Sequence, residues 1–193
     1  MKALAVYCGS ATPPDARYVD LSRAVGRYLA GEGIAVVYGG GRLGLMGALA
    51  DAALDAGGEV IGVIPDAMTG REIAHDGLTR LEVVATMHER KARFTALSDG
   101  FVTLPGGVGT MDEYWEAVSW AQLGYHAKPV GLLNAFGYYD GLIAFARHMT
   151  ETGFVRAQHE RITVIADDIA TLVEKLRAYE PHQAIFRMKA SDL

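Results

Sequence analysis

The residues best suited to chemistry lie in a glycine-rich segment near the middle of the chain, PGGVGTMDE, at residues 105–113. Glycines at a corner between a strand and a helix let backbone amides approach an anion, and the amino terminus of the helix contributes about half a positive charge. The pattern therefore predicts a phosphate site. It also places Glu113 and Glu116 on one face of the following helix, near the predicted phosphate, where paired carboxylates can do acid–base chemistry.

The same segment has a second interpretation that involves no chemistry. Thr110 and Glu113 spell T-x-x-E, the capping box in which both side chains bond to backbone amides at the start of a helix. Spacing alone does not choose between a capping residue and a functional carboxylate. Both interpretations of Glu113 stay open at the level of the sequence.

Two further corners lie where predicted strands lead into helices. One is Cys8-Gly9-Ser10, and the other is GGGRLGLMG at residues 39–47. In open parallel sheets, ligands bind beyond the carboxyl ends of the strands, so these corners are also candidate contacts for a phosphorylated ligand. Neither glycine-rich corner has the GKS or GKT ending of a Walker P-loop, which weakens an NTPase interpretation. The candidate binding residues at these two corners are Gly9, Ser10, Gly40 and Gly41.

A cluster of charge, MHERKAR, occupies residues 87–93 at the start of another predicted helix. It holds three cations and one anion. Such a cluster is often only a solvated helix face. Beside a phosphate site, however, Arg90 and Lys91 would donate charge-assisted hydrogen bonds to phosphate or sugar oxygens.

Other kinds of site find little support in the sequence. The six histidines lack H-E-x-x-H or a comparable metal-binding spacing, so we predict no metal. Cys8 follows a strand but has no identifiable base partner, and the chain has no G-x-S-x-G motif, so covalent acyl-enzyme chemistry is unsupported.

The elements that must position these residues alternate between strand and helix. The predicted strands are short and mostly apolar throughout, which is typical of strands covered on both faces. Strands that alternate with helices build βαβ units, so we predict an α/β fold: a doubly wound parallel sheet of about seven strands with helices on both faces. The predicted strands are Ala3–Cys8, Ile34–Tyr38, Val60–Ile64, Leu81–Ala85, Phe101–Leu104, Pro129–Leu133 and Ile162–Ala166.

Size and pattern indicate a single domain. We assign residues 1–180 to one nucleotide-binding domain and residues 181–193 to a carboxyl-terminal tail, which is a docking or dimer segment or a disordered end. The weakly patterned stretch Asp66–Gly77 is a candidate active-site loop.

Composition excludes several classes of protein. The 193 residues carry a formal charge of -5, from 18 basic and 23 acidic residues, which argues against a general nucleic-acid surface but permits a local anion site. No apolar run approaches the roughly 20 residues that span a bilayer, so we expect no membrane partner. The single cysteine cannot form an intramolecular disulfide, and the first residues do not form an export signal, so we expect a cytoplasmic protein.

Three motifs in this order, GGGRLGLMG, MHERK and PGGVGTMDE, give the chain a family resemblance. From about Ala3 to Ile165 it resembles the LONELY GUY family, the cytokinin riboside 5′-monophosphate phosphoribohydrolases. The resemblance implies a Rossmann-like fold, a homodimer, and hydrolysis of the N-glycosidic bond of an N6-substituted AMP to free base and ribose 5-phosphate. It implies no cofactor.

Site residues follow from the resemblance position by position. It implies that Arg90 and Glu113 are the catalytic pair, that Lys91 contacts the nucleotide, and that Glu72 is a substrate-contacting glutamate. Ser119 stands where plant relatives commonly have threonine. The implied nucleotide contacts in the glycine-rich segment are Gly107, Val108, Gly109, Thr110, Met111 and Asp112.

Three hypotheses about function result. The first is the phosphoribohydrolase, with AMP and N6-substituted AMP unranked as substrates. The alternative is a nucleotide-binding sensor or carrier that does not turn its ligand over. The third, a dinucleotide oxidoreductase, is disfavoured because no G-x-G-x-x-G follows the first strand and no acidic ribose-binding residue follows the second. The name "lysine decarboxylase-like", long carried by the family, has no support, since neither Lys91 nor Lys128 has the setting of a pyridoxal phosphate lysine.

Overall fold

A computed structural model describes residues 1–69 and 74–186 of the chain. Within these residues the backbone forms a seven-stranded sheet in which every neighbouring pair of strands is parallel, in the order β4-β3-β2-β1-β5-β6-β7. The prediction of a doubly wound parallel sheet is confirmed. The strands are Ala3–Tyr7 (β1), Ala35–Tyr38 (β2), Val60–Pro65 (β3), Arg80–Val84 (β4), Phe101–Thr103 (β5), Val130–Leu133 (β6) and Thr163–Ala166 (β7).

Helices connect the strands, and the first and last of them start at aspartate caps. Asp15 accepts a hydrogen bond from the Arg17 amide at the first helix, and Asp168 accepts one from the Thr171 amide at the last. A short 3₁₀ turn occupies Ala135–Gly137. The helices are Ala16–Gly31 (α1), Gly44–Asp55 (α2), Asp66–Thr69 (α3), Met87–Leu97 (α4), Val108–Leu123 (α5), Asp140–Glu151 (α6), Ala157–Glu160 (α7) and Ile169–Arg177 (α8). No helix in the described ranges combines the length and the apolar content needed to cross a bilayer.

Strand β1 lies at the centre of the sheet and separates two apolar cores. Because side chains alternate along a strand, Leu4 and Val6 enter the core beneath α1, α2 and α8, while Ala5 and Tyr7 enter the core beneath α4 and α5. The predicted cover on both faces is confirmed for the five inner strands. The edge strand β4 differs, since Leu81 and Val83 are 37% and 53% exposed.

The winding of the chain creates a switch point beside β1. Strands β1 to β4 add in one direction, and the chain then returns to place β5 on the other side of β1. The carboxyl ends of β1 and β5 lie side by side at this point, and the Gly9 amide donates to the Pro105 carbonyl at 3.2 Å. Open α/β sheets bind ligands at such a point.

The last described residues run along α5. His182 Nε2 lies 2.9 Å from the Ala121 carbonyl oxygen, and the Ile185 amide donates to the Gln122 carbonyl at 3.0 Å. The division between a domain at residues 1–180 and a tail stays a prediction, because residues 187–193 lie outside the described residues.

Helices α1 and α2 approach each other through a glycine. A methyl group at Gly26 would overlap the Leu49 carbonyl oxygen, whereas a methyl group at Gly31, on the same helix, would meet no atom within 4 Å. We predict that Gly26→Ala lowers the free energy of unfolding by about 1–3 kcal/mol through overpacking. Gly31→Ala should raise it by about 0.5–1 kcal/mol, because alanine loses less backbone entropy on folding. Urea denaturation of the two variants measures both effects, and equal stabilities would contradict the close approach.

Candidate active site

Helix α4 carries Arg90 to the carboxyl ends of the strands. The helix starts at a variant of the capping box: Thr86 Oγ1 accepts a hydrogen bond from the Glu89 amide at 3.1 Å, and a Glu89 carboxylate oxygen accepts one at 2.9 Å from the amide of Ala85, the residue before the cap. Arg90 follows in the first turn and is 8% exposed. The cluster that the sequence could not distinguish from a solvated face therefore buries one of its cations.

Backbone oxygens fix the Arg90 guanidinium. Nε donates to the Val63 carbonyl at 3.1 Å, and Nη2 donates to the Gly39 carbonyl at 3.3 Å. The guanidinium carbon lies 5.3 Å from the centre of the Phe94 ring. A methyl group at Gly39 would overlap Nη2, so the space for this guanidinium depends on a glycine at the end of β2.

Glu113 faces Arg90 from the neighbouring helix. Glu113 Oε1 lies 3.8 Å from Arg90 Nη1, and the two side chains are 15% and 10% exposed. Gly107 is the residue that caps α5, so Thr110 lies inside the helix. The capping-box interpretation of Thr110 and Glu113 is therefore wrong, because a capping box needs its threonine at the first, non-helical position.

Burial controls the protonation of Glu113. Loss of solvent raises the pKa of this carboxyl from its ordinary value to about 7, although the positive charge of Arg90 opposes the shift. The nearby carboxylates of Asp112 and Glu116 raise the pKa further, and Lys91 lowers it. The group therefore changes charge near neutral pH, where a catalytic acid or base is most effective.

Lys91 lies between two carboxylates of α5. Its Nζ is 2.9 Å from Glu116 Oε2 and 3.0 Å from Asp112 Oδ2. Burial lowers the pKa of Lys91, but hydrogen bonds to these two carboxylates outweigh it and the pKa is raised. Lys91 is thus a fixed cation one residue after Arg90. Its contact with a nucleotide stays a prediction.

The glycine-rich segment is open at the start of α5. Gly107, Val108 and Gly109 are exposed, and a methyl group on either glycine would meet no atom within 4 Å. The Gly107 carbonyl accepts from the Met111 amide at 3.1 Å, the first such bond of the helix. The preceding amides have no helical partner, which is the arrangement that binds anions at a helix amino terminus.

Glycines in the second corner serve mainly for packing. Gly40 and Gly41 are buried, the Gly40 carbonyl accepts from the His75 amide at 2.9 Å, and Gly41 pairs with Ala74. Gly44 has a φ of 62° and lies against the carbonyl of Ser10, which is exposed. The predicted substrate contacts at Gly40 and Gly41 stay predictions, and the open glycines of the site are those at α5.

Three other predicted positions fall away from the Arg90–Glu113 pair or outside the description. Met111 is half-buried and packs against the core beneath α5. Ser119 is exposed on α5, where it lines a cavity together with Trp115. Glu72 lies outside the described residues.

The structure adds residues that sequence reasoning missed. Tyr7 and Cys8, at the end of β1, lie close enough to Glu113 for its charge to raise both pKa values, although burial is the larger cause. The buried thiol is therefore held neutral. Gly39 belongs to a glycine motif in the sequence, but the motif does not reveal that this glycine leaves space for the Arg90 guanidinium. Arg90 is distant from Gly39 in the sequence.

No group of three or more histidine, cysteine, aspartate or glutamate side chains in residues 1–69 and 74–186 is placed to hold a metal ion. The two lysines considered for Schiff-base chemistry are both engaged. Lys91 is held by Glu116 and Asp112, and Lys128 Nζ donates to the carbonyls of Thr95 and Ser98.

Comparison with known sequences assigns the chain to a family. Residues 46–176 match the family model described as "Possible lysine decarboxylase". A rice (Oryza sativa subsp. japonica) protein named "Probable cytokinin riboside 5′-monophosphate phosphoribohydrolase LOGL9" is 46% identical over 93% of this chain and 79% of its own length. A cytokinin riboside 5′-monophosphate phosphoribohydrolase from Rhodococcoides fascians is 43% identical over 92% of this chain and 90% of its own. The Arabidopsis thaliana enzyme LOG1 is 42% identical over 100% and 91%.

Solved structures share the fold at lower identity. The molybdenum cofactor carrier protein of Chlamydomonas reinhardtii superposes with a TM-score of 0.67 and 22% identity, over 92% of this chain and 98% of that one. A structural-genomics target gives a TM-score of 0.70 with 24% identity, over 93% and 100%. These similarities support the architecture alone.

The parallel sheet, its switch point and the carboxylate–arginine pair define a Rossmann-like α/β protein with a candidate acid–base site at the carboxyl ends of its strands. Within that class the chain belongs to the LONELY GUY family, whose curated members are named as cytokinin riboside 5′-monophosphate phosphoribohydrolases. The family resemblance seen in the three motifs is confirmed.

We predict that ionisation of Glu113 weakens the folded state. Its folded pKa of about 7 lies above the unfolded value, so the native state binds more protons between about pH 4.5 and 7. The stabilisation that the raised pKa of Glu113 gives the folded state is therefore fully present below pH 4.5. It falls as the pH rises and is lost above pH 7. Between pH 4.5 and 8 the free energy of unfolding of Glu113→Gln should rise by about 1–3 kcal/mol relative to wild type.

Urea denaturation of wild type and Glu113→Gln at both pH values measures this change. Glu180→Gln, which removes an exposed carboxylate, controls for the loss of one acidic group. A difference between Glu113→Gln and wild type that stays constant with pH would contradict the raised pKa.

Proposed function

We propose that this protein hydrolyses the N-glycosidic bond of AMP or an N6-substituted AMP, which releases the free base and ribose 5-phosphate. The observation that carries the proposal is the buried Glu113 carboxyl, with a pKa of about 7, beside a fixed Arg90 and on the same helix as an open glycine-rich amino terminus. Family membership supports the same reaction, since the curated relatives are named for it.

Glu113 is suited to the bond-breaking step. As the bond between C1′ and the base nitrogen breaks, its electron pair leaves with the base and the sugar gains oxocarbenium character. A nearby carboxylate stabilises that positive charge. The same carboxylate takes a proton from the water that adds to C1′ and then passes that proton to the departing base, so water supplies both the sugar hydroxyl and the proton on the base. A pKa near 7 leaves a large fraction of Glu113 ionised at neutral pH.

Phosphate binding would supply the orientation that this step needs. Gly107 and Glu113 lie six residues apart on one helix, which is fewer than two turns and about 9 Å along the axis. A 5′-phosphate at the helix amino terminus would direct the ribose along α5 toward the carboxylate. Binding energy from the phosphate is then used to position C1′, remote from the phosphate itself.

The contacts of Arg90 suit it better to orient the Glu113 carboxylate than to bind a ligand directly. Two of its nitrogens already donate to backbone carbonyls, and Nη1 lies 3.4 Å from Met87 Sδ and 3.8 Å from Glu113. Such a fixed guanidinium holds a positive charge at one place and favours the ionised carboxylate. We therefore assign Arg90 the role of orienting the Glu113 carboxylate and stabilising its negative charge.

The alternative of a sensor or carrier is less well supported. Binding alone does not require a carboxylate that is buried at a cost in stability and placed beside the predicted phosphate site.

The proposal also includes a homodimer and a cytoplasmic location, as the resemblance and the cysteine content imply. Exposed apolar side chains on the edge strand β4, at Leu81 and Val83, and at the start of α4, at Met87, are consistent with a surface that a second subunit covers.

A substrate panel tests the proposal directly. We expect release of free base from AMP and from an N6-substituted AMP, and far slower release from the matching nucleosides, because these lack the phosphate. Glu113→Gln and Arg90→Ala should each lower kcat by about 100-fold or more, while Glu180→Gln should retain full activity. Base release is followed by chromatography. Binding of AMP without any release of adenine would support the carrier instead.

Gly39→Ala offers a test that leaves both catalytic residues in place. The added methyl group would push the flexible end of Arg90 from its position without straining the backbone. We predict a fall in kcat of about 10–100-fold, since small displacements in a site have effects of this size. The matched substitution Gly31→Ala should leave kcat unchanged. Full activity in Gly39→Ala would show that the observed position of Arg90 does not matter for turnover.

A further inference from the structure

Successive carbonyl groups before helix α5 are each held by a hydrogen-bond donor. The Leu104 carbonyl accepts from Tyr139 Oη at 2.6 Å, and the Pro105 carbonyl accepts from the Gly9 amide at 3.2 Å. The Gly106 carbonyl accepts from Tyr138 Oη at 2.7 Å. The oxygen of each of these three carbonyl groups therefore points at its own hydrogen-bond donor.

The peptide between Gly106 and Gly107 is the one that most needs such a partner. Glycine populates backbone conformations on both sides of the map, so a peptide flanked by two glycines rotates more freely than its neighbours. If it turned over, the Gly106 carbonyl would point toward the anion that the start of α5 is expected to bind. An oxygen lone pair there would repel phosphate. The Tyr138 hydroxyl is the group that holds this carbonyl in its present direction.

Tyr138 is itself held by a strained turn after β6. Phe136 adopts φ 60° and ψ 20°, a conformation that non-glycine residues rarely adopt. The ring of Tyr18 packs edge-on against both aromatic rings, with centroid distances of 5.8 Å to Phe136 and 5.7 Å to Tyr138. The Arg17 guanidinium lies 4.8 Å from the centre of the Phe136 ring.

Asn134 closes the same turn. Its side-chain oxygen accepts from the Tyr139 amide at 2.7 Å, and its amide nitrogen donates to Asp140 at 2.8 Å. The strained backbone of Phe136 persists only if the surrounding residues hold the turn in one conformation. Tyr138 is 44% exposed, and its hydroxyl is held against the Gly106 carbonyl by the neighbours that fix this turn.

We propose that Tyr138 is a positioning residue for the phosphate site. Its hydroxyl locks the Gly106–Gly107 peptide with the carbonyl turned away, which leaves the amides at the start of α5 free for a phosphomonoester. The inference rests on the proposed function in one respect, namely that the site takes a 5′-phosphate. It concerns the phosphate end of the ligand and not the base.

The test compares Tyr138→Phe with wild type by calorimetric binding of AMP, inorganic phosphate and adenosine. We expect the variant to bind AMP and inorganic phosphate about fivefold more weakly, as expected from the loss of one hydrogen bond, and to bind adenosine as wild type does. In turnover, KM for AMP should rise by the same factor while kcat stays within about twofold. The matched control is Tyr179→Phe, which removes a hydroxyl bonded to His182, at 3.0 Å, in the carboxyl-terminal segment.

Each outcome decides the matter. Unchanged binding of AMP and phosphate by Tyr138→Phe would overturn the inference, and so would an equal loss for adenosine, because that indicates general damage to the fold. If wild type binds AMP without releasing adenine, the proposed function fails, yet the ratio of binding constants still judges Tyr138. If wild type binds neither AMP nor phosphate, both proposals fail.

Discussion

The energetic constraint on which the site depends is the burial of one carboxyl group. Glu113 is largely removed from solvent at the meeting point of β1, α4 and α5, with 15% of its side chain exposed, and this raises its pKa to about 7 despite the neighbouring arginine. A carboxylate in such a place is tolerated only when a fixed positive charge stands close by, because an unpaired buried charge is strongly destabilising. Burial of this carboxylate therefore requires a nearby positive charge, which the contacts of Arg90 with the Val63 and Gly39 carbonyls hold in place.

The surrounding structure consists largely of backbone arranged for that purpose. Carbonyls at the ends of β2 and within β3 hold the guanidinium, and Gly39 leaves room for it. On the other side of β1, the carbonyls that precede α5 are turned toward their own donors, so the amino terminus of the helix is left for an anion. The two halves of the site lie on opposite sides of the switch point, so its geometry is a property of the sheet topology.

Sequence patterns were sufficient for the architecture and insufficient for the contacts. Apolar runs located all seven strands, and the signal is most direct for the five inner strands, whose side chains are buried on both faces. The pair Arg90 and Glu113 came from resemblance, and T-x-x-E at residues 110–113 was open to two interpretations that only the observed helix start resolves. Gly39 and Tyr138 could not be assigned, since each acts on a residue more than thirty positions away. The T-x-x-E sequence that does cap a helix, at Thr86 and Glu89, lies one motif earlier and was missed.

The pairing of β1 with β5 also affects how the molecule is made. Ala5 lies opposite Phe101 in this pairing, and the Ala3 amide bonds to Asp99, so the amino-terminal strand waits for nearly a hundred further residues before its second edge is covered. Until β5 is synthesised, the backbone N–H and C=O groups on that edge of β1 have no partner strand, and unpaired strand edges favour wrong pairing between chains. Late completion of the sheet around β1 is therefore a consequence of placing the candidate site at the centre of a parallel sheet.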